Sequence, residues 1–280
     1  MTHTNSGKRL VLCAGMQSSG STLLSWCFLQ RADVDGVLDA RFDVLPQLPK
    51  GVDGSRALPW VKMTIACFGL ADAMAYFRDE GWEVSPVLLL RDVRAVFNSL
   101  LVKEYGRNST TADDPPIRLR LRRFKRDWEQ ARREGWTMMR YEDLADFPRE
   151  TLETACRSLG LPWDEGMLTW PKRPDQIADA RHGNVTFLSS LEGGGAMKCL
   201  KKCRPLKLTH LPAEDLAWLE EEFAEFNKAC QYPRQLDGIA ELPEGRAVPT
   251  YEASRRYWRQ HHGFREVIKK LKEAAGFGRA

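Results

Sequence analysis

The chain lacks any run of the ~18 apolar residues that a membrane-spanning helix needs, so no part of its 280 residues reads as a span. A dominant charge is missing too. Lys and Arg number 42 against 38 Asp and Glu, and a net of +4 excludes nucleic-acid binding by bulk charge. The polar segment Met1 to Arg9 leads into the apolar run Leu10–Gly15, which is too short for the core of a secretory signal. A disulfide framework is absent as well. The seven cysteines are an odd number, and five of them (Cys13, Cys27, Cys67, Cys156, Cys230) stand in apolar contexts, which predicts reduced thiols in a cytoplasmic protein. Cys199 and Cys203 are spaced CxxxC, but no second Cys/His pair stands at metal-ligand spacing, so no metal is expected. There is no internal repeat, and no linker long enough to separate independent domains.

What is present is an alternation of short apolar runs with longer helical ones, the pattern of an α/β fold built on a mostly parallel sheet. Strands are expected at Arg9–Ala14, Gly36–Ala40, Trp60–Ile65, Pro86–Leu90 and Thr137–Tyr141. Helices are expected at Ser21–Gln30, Leu70–Glu80, Val93–Glu104, Ile117–Glu134 and Arg149–Leu159, with a later amphipathic one over Pro212–Cys230. Residues 1–249 form one domain in this reading. Residues 250–280 form a basic tail, in which Phe264, Val267, Ile268 and Leu271 follow the i, i+3, i+4, i+7 spacing of an amphipathic helix. Its apolar stripe is two turns long, which predicts packing on protein and no stable membrane insertion. The sequence leaves the oligomeric state open.

The densest local signal begins at Leu10-Val-Leu-Cys-Ala-Gly15 and continues Met-Gln-Ser18-Ser19-Gly20-Ser21-Thr22. An apolar strand enters a turn of small residues, and the turn opens an apolar helix. Gly15, Gly20 and Thr22 sit where GxxxxGK[ST] has its glycines and its hydroxyl. Backbone N–H groups of such a loop, with the helix N-terminal partial charge, form a site for phosphate-like oxyanions. The lysine position holds Ser21, which disfavours a triphosphate. The same residues also fit a plain glycine-containing strand-to-helix turn.

A second signal is Val87-Leu-Leu-Leu-Arg91-Asp92, followed by Ser99. Asp92 is placed to cap a helix starting at Val93, and Ser99 then lies two turns along it, ~10–11 Å away. Arg91 stands at the carboxyl end of a strand, where open α/β sheets bind ligands. An ion pair for Arg91 and a merely structural Ser99 fit these residues too. No metal-binding acid follows the apolar run directly, which weakens a kinase reading further.

Taken together, these segments resemble the sulfotransferase superfamily, whose fold is similar to the P-loop nucleotide-binding fold. Ser18-Ser19-Gly20-Ser21-Thr22 resembles the loop that holds the 5′-phosphosulfate of 3′-phosphoadenosine 5′-phosphosulfate, abbreviated PAPS. Arg91 and Ser99 match the family's pair for the 3′-phosphate. Arg140-Tyr141-Glu142-Asp143-Leu144, then Pro148 and Leu159-Gly160-Leu161, resembles its YEDL…P…LGL segment, whose tyrosine lies near the adenine. His182-Gly183-Asn184 and the lysines from Lys198 to Lys202 resemble its cofactor-closing region. The likeness spans roughly residues 8–235. It implies a three-layer α/β/α fold, PAPS as donor, adenosine 3′,5′-bisphosphate as leaving nucleotide, and no requirement for a metal.

Two departures shape the expected chemistry. The family's loop carries Lys or Arg where this chain has Ser18, and the histidine base of its cytosolic branch falls at Thr64. Lys62, where many members carry KTH, is the candidate substitute cation. Asp39, in an Asp39-Ala40-Arg41 run that resembles the protein-tyrosine branch, is the candidate base. A strand-edge lysine and a solvated strand-end carboxylate are the plain alternatives. Without the histidine of the small-phenol branch, a saccharide hydroxyl is the expected acceptor. The rival functions are a small-molecule kinase with a degenerate loop and a nucleotide-binding protein without catalysis. The basic run from Arg118 to Arg126, without interleaved stacking aromatics, is expected to be a solvated helix face or a patch for an anionic acceptor rather than a nucleic-acid site.

Overall fold

The computed structural model describes residues 8–40, 46–48, 52–55, 57–66, 68–101, 115–178, 187, 208 and 211–233. Five strands, β1 (Lys8–Met16), β2 (Val34–Val37), β3 (Leu58–Ile65), β4 (Trp82–Leu90) and β5 (Thr137–Arg140), form one sheet in the order β2-β3-β1-β4-β5. Every pairing is parallel. The central strands read as continuous apolar runs because both faces of the sheet are covered. Side-chain alternation sorts them. Leu10, Leu12 and Ala14 of β1, with Val61, Met63 and Ile65 of β3, enter one core. Val11 and Cys13, with Trp60, Val87 and Leu89, enter the other.

Helices supply the two outer layers. The first core is closed by α2 (Leu70–Asp79), α3 (Val93–Leu100) and α4 (Pro115–Glu134). The second is closed by α1 (Ser21–Leu29), α5 (Tyr141–Asp146), α6 (Pro148–Ser158) and α7 (Gly166–Thr169). This is the expected three-layer α/β/α arrangement. Helix α1 is buried at every position but Thr22, which explains its apolar composition all round. Phe28 stacks on Trp60 with ring centroids 4.2 Å apart, and Trp60 Nε1 donates to Ser25 Oγ at 2.9 Å. Those two contacts fix α1, and so the loop before it, against β3.

Three expectations need correction. The second strand pairs with β3 only from Val34 to Val37, earlier than Gly36–Ala40. Beyond it the Leu38 N–H turns to the Ala178 carbonyl, and the Ala40 N–H returns to the Lys62 carbonyl. The helix expected over Pro212–Cys230 is two helices, α8 (Ala213–Glu222) and α9 (Ala224–Ala229), because Phe223 leaves the helical region at φ −109°, ψ 20°. The run from Arg118 to Arg126 is a solvated face only in part: Arg122 and Arg126 stay more than half exposed, while Arg120 is buried. Arg118 pairs with Asp215, Lys125 with Glu222 and Arg126 with Asp72, while Arg123 donates to the Ala66 carbonyl.

Cys13, Cys27, Cys156 and Cys230 are buried free thiols. Burial pushes Cys13 and Cys27 up to about 12, so neither is a nucleophile near neutral pH. Among the described residues no helix is long and apolar enough to cross a membrane. The basic tail, Cys199, Cys203, His182, Gly183, Asn184 and the lysines near 200 lie outside the described residues.

Candidate nucleotide site

The connection leaving β1 runs toward β2 on one side, while the connection leaving β4 runs toward β5 on the other. Their carboxyl ends therefore flank a topological switch point, the crevice where open parallel sheets bind ligands. Gly15 of β1 pairs with Leu89 of β4, and Leu90 pairs with Arg140 of β5. That register brings the segment 17–22, Arg91 and Tyr141 to one edge.

Segment 17–20 bends back through two left-handed residues, Ser18 at φ 66° and Gly20 at φ 91°. The Ser19 N–H closes the turn on the Met16 carbonyl at 3.0 Å. Gly20 then starts α1 with no side-chain cap. The first N–H groups of a helix have no intrahelical acceptor, and here no side-chain cap supplies one either. Ser19 and Ser21 are buried, and Ser19 Oγ has no hydrogen-bond partner among the described residues. A buried hydroxyl without a partner costs free energy that an incoming acceptor oxygen recovers. The donor set of Ser19, Ser21 and the uncapped amides fits an oxyanion.

Tyr141 and Arg91 wall this loop. A β-carbon on Gly20 would lie 2.3 Å from Tyr141 Cδ2, so glycine is required both by its φ and by the ring. The Arg91 guanidinium carbon lies 4.4 Å from the Tyr141 ring centroid, and its Nη1 donates to the Ser18 carbonyl. Tyr141 thus opens α5 instead of ending β5 as the sequence predicts. Arg91 rests on Ser18 and Tyr141, while Ser99 sits half-buried farther along α3.

A buried brace holds the turn after Arg91. Asp92 caps α3 through the Arg94 N–H at 2.9 Å, as its position predicts. Fully buried Arg94 binds both oxygens of Asp92, then Glu220 at 2.7 Å and the Pro233 carbonyl. The Tyr232 hydroxyl donates to Glu142 at 2.7 Å, and Glu142 accepts from the Asp92 N–H at 3.3 Å. Burial and the Glu142 carboxylate push the Tyr232 phenol far up, so it stays a donor. No local sequence pattern marks this brace, whose Arg94–Glu220 and Glu142–Tyr232 links join residues 126 and 90 apart.

The two catalytic candidates sit together. Lys62 Nζ lies 2.8 Å from Asp39 Oδ1 and donates to Thr64 Oγ1 at 3.1 Å. All three residues are buried, which rules out a solvated carboxylate and a strand-edge lysine. The bond from the Ala40 N–H to the Lys62 carbonyl carries Asp39 there. Thr64 pairs with Gly15 across the sheet, so Lys62 reaches toward the phosphate-loop edge. Among the described residues no group of three His, Cys, Asp or Glu is placed to hold a metal ion.

This architecture is the sulfotransferase fold. The sulfotransferase domain from the curacin biosynthetic pathway superposes with a TM-score of 0.52 at 14% identity, over 81% of this chain and 98% of that one. The mouse sulfotransferase SULT7A1, solved in complex with PAP, superposes at 0.50 and 11% identity, over 81% of this chain and 89% of that one. No family sequence model matches the chain, and no curated protein matches it by sequence.

Proposed function

We propose that the chain transfers a sulfuryl group from PAPS to an acceptor hydroxyl, most readily a saccharide's, releasing adenosine 3′,5′-bisphosphate. The observation that carries this reading is the uncapped, lysine-free loop, with a Ser19 hydroxyl that has no partner among the described residues, beside Arg91 at the switch point. A loop without lysine suits a 5′-phosphosulfate better than a triphosphate, because a sulfuryl group brings less charge than a γ-phosphate. The PAP bound to the mouse neighbour supports the same nucleotide class.

The donor supplies a sulfur atom bonded to a good leaving oxygen. In the proposed reaction the acceptor oxygen bonds to that sulfur as the bond to the 5′-phosphate oxygen breaks, and the acceptor's proton goes to Asp39. The amides of 20–22, with the Ser19, Ser21 and Thr22 hydroxyls, hold the 5′-phosphate as charge grows on the leaving oxygen. Lys62 supplies positive charge next to the bridging oxygen. Arg91, with Ser99, takes the 3′-phosphate, and Tyr141 flanks the adenine. The resemblance adds Gly183 and Asn184, which lie outside the described residues, to the nucleotide-binding set.

The test is incubation with labelled sulfate donor and a panel of saccharide, phenol, lipid and peptide acceptors. Label on a saccharide, with adenosine 3′,5′-bisphosphate formed in equal amount, is the expected result. Label on a different acceptor class would overturn the saccharide assignment. Nucleotide binding without transfer to any acceptor would reduce the chain to a nucleotide-binding protein.

A further inference from the structure

Helix α4 presents an apolar face to the first core through Ile117, Leu121, Phe124, Trp128 and Ala131, each at most 3% exposed. Arg120 lies on that same face, three residues after Ile117 and four before Phe124, and is itself only 6% exposed. Its Nη1 donates to Gln17 Oε1 at 3.1 Å. Gln17 is the first residue after β1 and immediately precedes the left-handed Ser18. The side chain is thereby delivered to the start of the phosphate loop, whose own sequence holds no cation from Gly15 to Thr22.

We infer that Arg120 supplies from α4 the positive charge that the phosphate loop lacks at Ser18, acting on the 5′-phosphate side of the nucleotide. This rests on the nucleotide reading above. A guanidinium suits the role because it stays charged when buried and offers a planar fork to phosphate oxygens. Gln17 holds the fork beside the loop, so the charge arrives without a side chain at position 18.

The division of labour makes a binding test decisive without catalysis. Affinities for adenosine 5′-monophosphate, adenosine 3′-monophosphate and adenosine 3′,5′-bisphosphate are measured for the wild-type chain, Arg120→Gln and Arg120→Lys. Gln preserves a hydrogen-bonding group opposite Gln17 and removes the charge, whereas Lys keeps the charge. Arg120→Gln is expected to weaken both 5′-phosphorylated ligands by roughly 10- to 100-fold, the range for losing a charge-assisted contact, and to leave the 3′-monophosphate unchanged. Arg120→Lys should recover most of the loss. Equal weakening of all three ligands by both variants, or no change in any, would overturn the assignment and make Arg120 structural. Should Arg120→Gln not fold, Arg120→Met is measured in its place, and a 5′- to 3′-monophosphate affinity ratio equal to the wild type's would overturn the assignment. A wild-type chain that binds none of the three would instead refute the nucleotide reading itself.

Discussion

The Tyr141 ring fills the space that any side chain on residue 20 would need, with Cδ2 only 2.3 Å from the position of a Gly20 β-carbon. Gly20 is also held at φ 91°, so the turn that opens α1 depends on two separate properties of glycine. Gly20→Ala should destabilise the protein by about 1–2 kcal/mol from the left-handed backbone alone, and further from the collision with the ring. Tyr141→Ala in the same chain should return some of that loss. Thermal denaturation of the two single variants and the double variant checks it, and strictly additive losses would contradict the packing described.

Arg91 lies against both Tyr141 and the Ser18 carbonyl, at the edge of the same loop. Arg91→Ala should weaken adenosine 3′,5′-bisphosphate by ~1.5–3 kcal/mol, the scale of a charge-assisted hydrogen bond. The preference for that ligand over AMP should largely vanish. Calorimetric titration of both nucleotides reads the outcome. A surviving preference would confine Arg91 to supporting the loop.

Lys62 and Asp39 are buried against each other at 2.8 Å, so neutralising Asp39 takes the carboxylate from beside a buried ammonium. Asp39→Asn should cost ~3 kcal/mol or more in stability and lower turnover by ~10²-fold or more, with bisphosphate affinity nearly intact. The double variant Asp39→Asn, Lys62→Met should be more stable than Asp39→Asn alone, because the buried ammonium is then gone as well. Chemical denaturation and steady-state rates separate the two roles. A stable but slow Asp39→Asn would favour the catalytic role, and a fast one would remove it.

These candidates show where the sequence was informative. The strand Arg9–Ala14, the small-residue turn and α1 are contiguous, so composition and period were enough to place them. Asp39 and Lys62 were both legible as candidates, but their pairing was not. It depends on the backbone bond from Ala40 to Lys62, a contact between the end of β2 and β3 that no local pattern encodes. Helix α5 has six residues, too few for a periodic signal, and so Tyr141 was read as a strand end. Arg120 was hidden in a run of cations. Only the register of Ile117, Leu121, Phe124 and Trp128 distinguishes it as the inward-facing one.

Asp127 gives the fold a pH dependence of its own. Its oxygens cap α2 from α4, accepting from the Leu70 N–H at 2.6 Å and the Ala71 N–H at 3.3 Å. Burial pushes the carboxyl from 3.8 up to about 6, outweighing the two N–H groups that favour the charged form. A carboxyl raised on folding contributes stability that is full below pH 4 and is lost as pH rises through 6. The unfolding free energy of the wild type should therefore carry a falling component between pH 4 and 7 that Asp127→Asn lacks. Parallel denaturation curves for the two proteins across that range would show that Asp127 titrates normally.

The most direct test of the nucleotide assignment is the melting temperature of the wild-type chain with adenosine 3′,5′-bisphosphate or with ATP and magnesium, at matched concentration. A ligand at 100 times its dissociation constant stabilises the native state by ~2.7 kcal/mol, enough to raise the midpoint by several degrees. That shift is expected for the bisphosphate, and a much smaller one for ATP with magnesium. Equal shifts, or a larger one with ATP and magnesium, would contradict it.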